Sequence, residues 1–199
     1  MKPFNEESDK KIRIIEKYNS TSSFYDNRYR KIQNEKFSLQ LSITSFTQKT
    51  LLDAGCGTGL LFEYITNLIY EKCYRDLRYI GLDISWNMLQ SFLKKVKNTK
   101  YRANISLILG DIEHMPFRGG VFNLLISYTS LQNLQSLRKG LEELFRVSKN
   151  NASLKLSILK KQLEIEEVFT HLESFMINLR IDKLRELEDV FIDGYIKKG

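Results

Sequence analysis

The chain has 199 residues, 42% of them hydrophobic, with a formal net charge of +7. That length and apolar content suit one globular domain with a full core, and two prolines and ten glycines exclude a collagenous or linker-like chain. No apolar run reaches the roughly 18 residues of a membrane-spanning helix, and the charged opening MKPFNEESDKK does not read as a secretory signal. Cys56 and Cys73 form no metal or disulfide pattern, so a cytoplasmic location with reduced thiols is expected. The positive charge is uneven. Residues 1–100 hold 17 Lys/Arg against 11 Asp/Glu, and residues 101–199 hold 14 against 13. The densest basic stretches are NRYRKIQNEK (27–36) and KKVKNTKYR (94–102), which fit a solvated surface or contact with a polyanion.

In chain order, SDKKIRIIEKYN (8–19) has apolar residues at helical spacing, STSS (20–23) interrupts it, and 24–46 reads as mostly helix. Tyr25, Tyr29 and Gln33 recur at intervals of four and form one stripe, either packing on the sheet or serving as a lid. Residues 1–46 are therefore expected as a helical extension or lid, and 47–199 as the main domain. Apolar runs of strand length follow at 50–54, 78–83, 105–109, 121–127 and 153–159, separated by helix-length segments at 59–72, 85–98 and 136–148. Strand–helix alternation with short loops predicts a doubly wound parallel sheet. Helical spacing continues over 162–179. Two short runs, 181–188 and 190–197, then close the chain as an antiparallel pair.

The chemistry concentrates in LLDAGCGTGLL (51–61), where Gly55, Gly57 and Gly59 follow Asp53 at the end of the first strand. In such sheets this loop lies where ligands bind, and glycine lets a ligand approach the backbone. A dinucleotide loop is spaced G-x-G-x-x-G, whereas here the third glycine comes one residue early. Asp53 would repel a pyrophosphate but attract an ammonium. The implied ligand combines a nucleoside with an amino acid, which S-adenosylmethionine does. Asp83, ending the second strand in YIGLDIS, is placed for ribose hydroxyls, with Ser85 available as the cap of the next helix. Asp111, in LILGDIEHMPF, is placed for an adenine amine, and Ile84 and Ile112 for the purine faces. The acids recur 30 and 28 residues apart, about one strand–helix unit each.

LLDAGCGTG, GLDIS, GDIEHMPF, VFNLLISYTSLQNL and LFRVSKNNASLKLSIL together, in this order, resemble the class I S-adenosylmethionine-dependent methyltransferases over about residues 24–199. The resemblance implies a seven-stranded sheet in the order 3-2-1-4-5-7-6 with the last strand antiparallel, and S-adenosylmethionine as cofactor. It implies cofactor contacts from Tyr25, Tyr29, Asp53, Ala54, Gly55, Cys56, Gly57, Gly59, Asp83, Ile84, Asp111, Ile112 and Ser127, and a lid role for the N-terminal segment. The chain departs from the family at Asn123, where an acid is usual. SYTS (127–130) replaces the Asn/Asp-Pro-Pro-Tyr of enzymes that methylate base amines or glutamine. Neither cysteine fits a cytosine C5 nucleophile, and no metal-ligand cluster stands out. His114 is the one histidine near the motifs, and Tyr128 is placed on the acceptor side. The acceptor stays open between RNA, protein and small molecule, and a non-catalytic cofactor-binding subunit of a larger complex is the reading from a different class.

Overall fold

The computed structural model describes residues 6–41, 46, 49–68, 76–97, 99–162, 165–183 and 187–198. Two helices, α1 (Glu6–Thr21) and α2 (Tyr25–Gln40), precede seven strands and four further helices. These are β1 (Thr50–Ala54), α3 (Leu60–Leu68), β2 (Arg78–Asp83), α4 (Trp86–Val96), β3 (Ile105–Leu109), β4 (Phe122–Tyr128), α5 (Leu137–Val147), β5 (Ser148–Leu159), α6 (Ile165–Glu173), β6 (Met176–Lys183) and β7 (Asp189–Ile196). Cys73, and the end of the helix expected over 59–72, lie outside the described residues.

The sheet order is β3-β2-β1-β4-β5-β7-β6. All neighbours from β3 to β5 pair in parallel, and β7 runs antiparallel to both β5 and β6. This is the expected topology.

Strand alternation sorts side chains between two cores. Leu51, Leu124, Ile126 and Tyr128 join α2, α3 and α4 on one face, where Phe37, Phe62 and Phe92 are buried. Leu52, Leu125, Leu154, Leu156 and Ile158 join α5 and α6 on the other. Phe122 breaks the alternation of β4 and sides with Leu125, because the register with β5 shifts between Phe122 and Leu124.

The helices follow local chemistry. The Ser85 side chain accepts the Met88 N–H to start α4, whose Met88, Leu89, Phe92 and Val96 face inward while Lys94 and Lys95 sit at its C-terminal end. Ser136 caps α5 in the same way by accepting from Lys139.

One expectation is corrected. The helical pattern over 162–179 ends as helix at Glu173, and β6 begins at Met176. The register of β6 against β7 shifts between Ile177 and Arg180, with Asn178 at φ 53°. This bulge places Met176, Leu179 and Ile181 against one core. The first interval is therefore three residues rather than two, and the strand imitates a helical period.

A buried ion pair fixes α2 to the sheet. Lys36 contacts Asp189 at the start of β7 and donates to Thr129 Oγ1 at 2.8 Å, while Ser157 donates to Asp189 at 2.6 Å. Removing one partner strands the other in the core. Lys36→Met is expected to cost about 3–5 kcal/mol in urea unfolding, and Lys36→Met with Asp189→Leu to recover most of that loss. A single variant within 1 kcal/mol of wild type would show the pair to be dispensable.

Candidate active site

The site forms at the C-terminal edge of the sheet, where β1 and β4 lie side by side but their chains leave in opposite directions. β1 leads to α3 and β2, and β4 leads to α5 and β5. The crevice this opens is the usual ligand position in such sheets. Its floor is stitched across the two strands. Ser127 and Ser130 both donate to the Ala54 carbonyl, at 2.8 and 3.0 Å. A Cβ on Gly55, which has φ +87°, would stand 2.4 Å from Ser130 Cβ, so only glycine allows the two loops to meet. Gly59 answers a different need. Its missing Cβ would fall 2.3 Å from the Phe92 ring, so this glycine lets α3 start against α4.

The crevice has two arms that share Tyr25, Gly55, Gly57 and Tyr128. The broad arm is lined by Lys11, Ile14 and Tyr18 of α1, by Asp83, Ile84 and Met88, by Gly110 to Glu113, and by Thr129, Ser130, Asn133 and Leu134. The narrow arm runs between β1 and α2 and is lined by Gln33, Phe37, Asp53, Cys56, Thr58, Leu60 and Leu61.

Of the residues expected at the site, Asp83, Ile84, Asp111 and Ile112 meet in the broad arm and Asp53 and Cys56 in the narrow one, with Tyr25, Gly55 and Gly57 at the elbow. Four lie elsewhere. Ala54 and Ser127 form the stitched floor, Gly59 packs on Phe92, and Tyr29 stacks on Tyr25 with ring centroids 4.7 Å apart.

Asp83 is not free of the backbone, as the capping role of Ser85 suggested. Its two oxygens accept the N–H groups of Gly57 and Ser85, each at 2.8 Å, and keep further acceptor capacity for a ligand. Burial raises its pKa against these bonds. Asp53, 3% exposed, accepts from the Tyr79 hydroxyl. Burial, with a smaller contribution from the negative charge of Asp83, lifts Asp53 to about 7. Cys56 is buried and its thiol is pushed up for the same reason, which makes it a poor nucleophile. Asp111 accepts from Lys11 at 2.5 Å and from the Glu113 N–H at 2.9 Å. Burial alone would raise its pKa, but these partners outweigh it and hold the carboxylate below its ordinary value. His114 is 70% exposed in its side chain and lies outside both arms.

The sequence reading missed the part played by α1. Lys11 bridges Asp111 and Glu113, and Asn133 donates to the Tyr18 hydroxyl at 2.9 Å. Asn19 accepts from Ser85 Oγ at 2.7 Å and from the Asn87 N–H at 3.1 Å. Lys11, Ile14 and Tyr18 recur at i, i+3 and i+7, so their common face was available as a signal. Among the described residues, no group of three or more His, Cys, Asp or Glu is placed to hold a metal ion, and no helix is long and apolar enough to cross a membrane.

The methyltransferase-domain family matches residues 52–156. Malonyl-[acyl-carrier protein] O-methyltransferase of Buchnera aphidicola is 33% identical over 144 residues, covering 71% of this chain and 51% of that protein. Demethylmenaquinone methyltransferase of Lactococcus lactis is 32% identical over 142 residues, 69% of this chain and 54% of that one. Among solved structures, magnesium protoporphyrin IX methyltransferase from Synechocystis, with bound S-adenosylmethionine, superposes with a TM-score of 0.72 at 15% identity, covering 94% of this chain and 97% of that one. The chain belongs to this family, the class I S-adenosylmethionine-dependent methyltransferases. It spans about half the length of the curated relatives it matches.

The raised pKa of Asp53 sets a stability prediction. A folded-state pKa above the unfolded value of about 3.9 means that the fold favours the protonated acid. That stability is complete below the unfolded pKa and is lost as pH rises through about 7. Asp53→Asn keeps an acceptor for Tyr79 without the buried charge. Its melting temperature is expected to exceed that of the ligand-free wild type by an amount that grows from pH 5 to pH 8. A difference that stays constant with pH would show Asp53 to be ionised throughout.

Proposed function

We propose that this chain transfers the methyl group of S-adenosylmethionine to a small or carrier-tethered organic acceptor. When bound, the cofactor supplies a methyl group already activated by a sulfonium. The residues that would hold it fit its parts. Asp83 offers its remaining acceptor capacity to the ribose hydroxyls. Ile84 and Ile112 offer apolar faces to the purine, and Asp111 a carboxylate near its edge. Asp53, buried without a cation, suits the ammonium of the amino-acid end. What the chain contributes is alignment, which can supply much of the rate of an in-line displacement.

The observation that carries the acceptor reading is the chemistry of the elbow. Its only titratable groups are Tyr25 and Tyr128. Burial raises both hydroxyls above the ordinary tyrosine range, and Tyr128 is engaged in donating to Gln40 Oε1 at 2.7 Å. Neither can act as a base near neutral pH. An acceptor that already carries its lone pair or negative charge, such as a carboxylate or a phenolate, needs none. The Buchnera and Lactococcus relatives are named for malonyl-[acyl-carrier protein] and for demethylmenaquinone.

An RNA acceptor draws on the basic segment 27–36. Arg30 in that segment is engaged with Asp26 at 3.0 Å and Glu63 at 3.1 Å, and Arg28 lies over the Tyr29 ring. The lid reading of residues 1–46 draws on α1 as well as α2, since Lys11, Tyr18 and Asn19 tie α1 across the broad arm.

Three measurements test these readings. Asp83→Ala is expected to weaken S-adenosylhomocysteine binding in calorimetry by about 1.5–3 kcal/mol, and unchanged affinity would remove Asp83 from the ribose site. Limited proteolysis within residues 6–40 is expected to slow when the cofactor is present, and equal cleavage rates would make these helices packing elements. With methyl-labelled cofactor and a cell extract, label is expected in small or carrier-bound molecules. Counts that vanish with RNase would transfer the acceptor to RNA.

A further inference from the structure

We propose that Gln33, on α2, is a second acceptor for the ammonium at the amino-acid end of the cofactor, acting together with Asp53 on β1. This rests on the cofactor reading above. Gln33 is only 6% exposed, yet its side-chain oxygen Oε1 has no hydrogen-bond partner among the described residues. A buried carbonyl left in this state costs stability unless something binds it.

The narrow arm shows what that something is. Its walls set out two side-chain acceptors, and two of its hydroxyls are turned away. The Asp53 carboxylate comes from β1 and the Gln33 oxygen from α2. The Thr58 hydroxyl donates to Asp26, and the Tyr128 hydroxyl to Gln40. The neighbouring lysines are also engaged, Lys36 with Asp189 and Thr129, and Lys95 with Asp26 and Glu63. Phe37, Leu60 and Leu61 make the arm apolar, and Tyr25 and Cys56 complete its side-chain lining. The Gln33 oxygen and the Asp53 carboxylate, which keeps acceptor capacity beyond its bond from Tyr79, match a group with several N–H donors and a positive charge. A bound ammonium would join α2 to β1, so the amino-acid end would hold the helix that covers it.

The test is calorimetry on the full chain with two ligands, S-adenosylhomocysteine and 5′-methylthioadenosine, which keeps the nucleoside and sulfur but lacks the amino-acid end. Gln33→Leu is expected to weaken S-adenosylhomocysteine roughly 10- to 100-fold and to leave 5′-methylthioadenosine unchanged. Gln33→Glu, which restores a charged acceptor, is expected to bind S-adenosylhomocysteine at least as tightly as wild type. Unchanged S-adenosylhomocysteine affinity in Gln33→Leu, or an equal loss for both ligands, would overturn the assignment while leaving the cofactor reading intact. Should Gln33→Leu not fold, a 10-fold or greater loss of S-adenosylhomocysteine affinity in Gln33→Glu would overturn it. Wild-type protein that binds neither ligand would overturn the cofactor reading, and this assignment with it.

Discussion

The rest of the structure depends on the seam between β1 and β4. A parallel sheet in the order β3-β2-β1-β4-β5 must send the chain one way after β1 and the other way after β4. The two loops part, and a crevice is unavoidable. The seam has to be closed just beneath it, and here two serines close it on one backbone carbonyl of β1. That closure needs Gly55, because Ser130 occupies the place of a Cβ. The same loop is then hung on β2 by the bonds from the Gly55 and Cys56 N–H groups to the Leu82 carbonyl, and by Asp83 accepting from Gly57. Asp83 and the glycine loop are thus one hydrogen-bonded unit.

Charge is distributed with the same logic. On the α2 side, cations inside the fold are matched to acids. Lys36 meets Asp189, and Arg30 and Lys95 meet Asp26 and Glu63. At the bottom of the crevice the matching stops. Asp53 is buried and Asp83 half-buried near it, with no cation on either among the described residues, and both are shifted upward by the loss of water. A carboxylate drawn out of water without an opposing charge is costly in a folded protein even when it is hydrogen-bonded. Their position at the seam, under two helices that close over it, is what a cationic ligand with a ribose would offset. Lys11 draws the outer acid, Asp111, into a different balance, since α1 brings its own ammonium to it.

Much of this was legible from the residues. Strand-length apolar runs at regular spacing gave the sheet, because parallel strands covered on both faces are written as near-continuous hydrophobic segments. Ser85 and the pattern Met88, Leu89, Phe92 and Val96 gave α4, because capping and helical period are local. Asp53, Asp83 and Asp111 were placed together because one strand–helix unit has a nearly fixed length. The misreadings share a cause. β6 looked helical because a bulge altered its period, and the bulge exists only against β7. The packing need at Gly59 was not legible because its neighbour, Phe92, is set by helix packing. Asp83 looked free because Ser85 was read only as a helix cap, whereas its N–H also bonds Asp83, and because the Gly57 N–H comes from 26 residues away. Lys11 drew no attention because its partner lies 100 residues further along the chain.

The sequence by itself determined the class of fold, the order of elements and the edge of the sheet where the acids gather, since these follow from periodicity, capping and spacing along a chain. Only the tertiary structure decided which glycine answers to a neighbour's serine and which to a ring, and which acid is left without a cation. It also decided that α1 lines the broad arm and that the Gln33 oxygen lies in the narrow arm without a partner among the described residues. Those outcomes depend on what stands within about 3 Å of an atom, the reach of a hydrogen bond. In this fold that neighbour comes from a distant part of the chain.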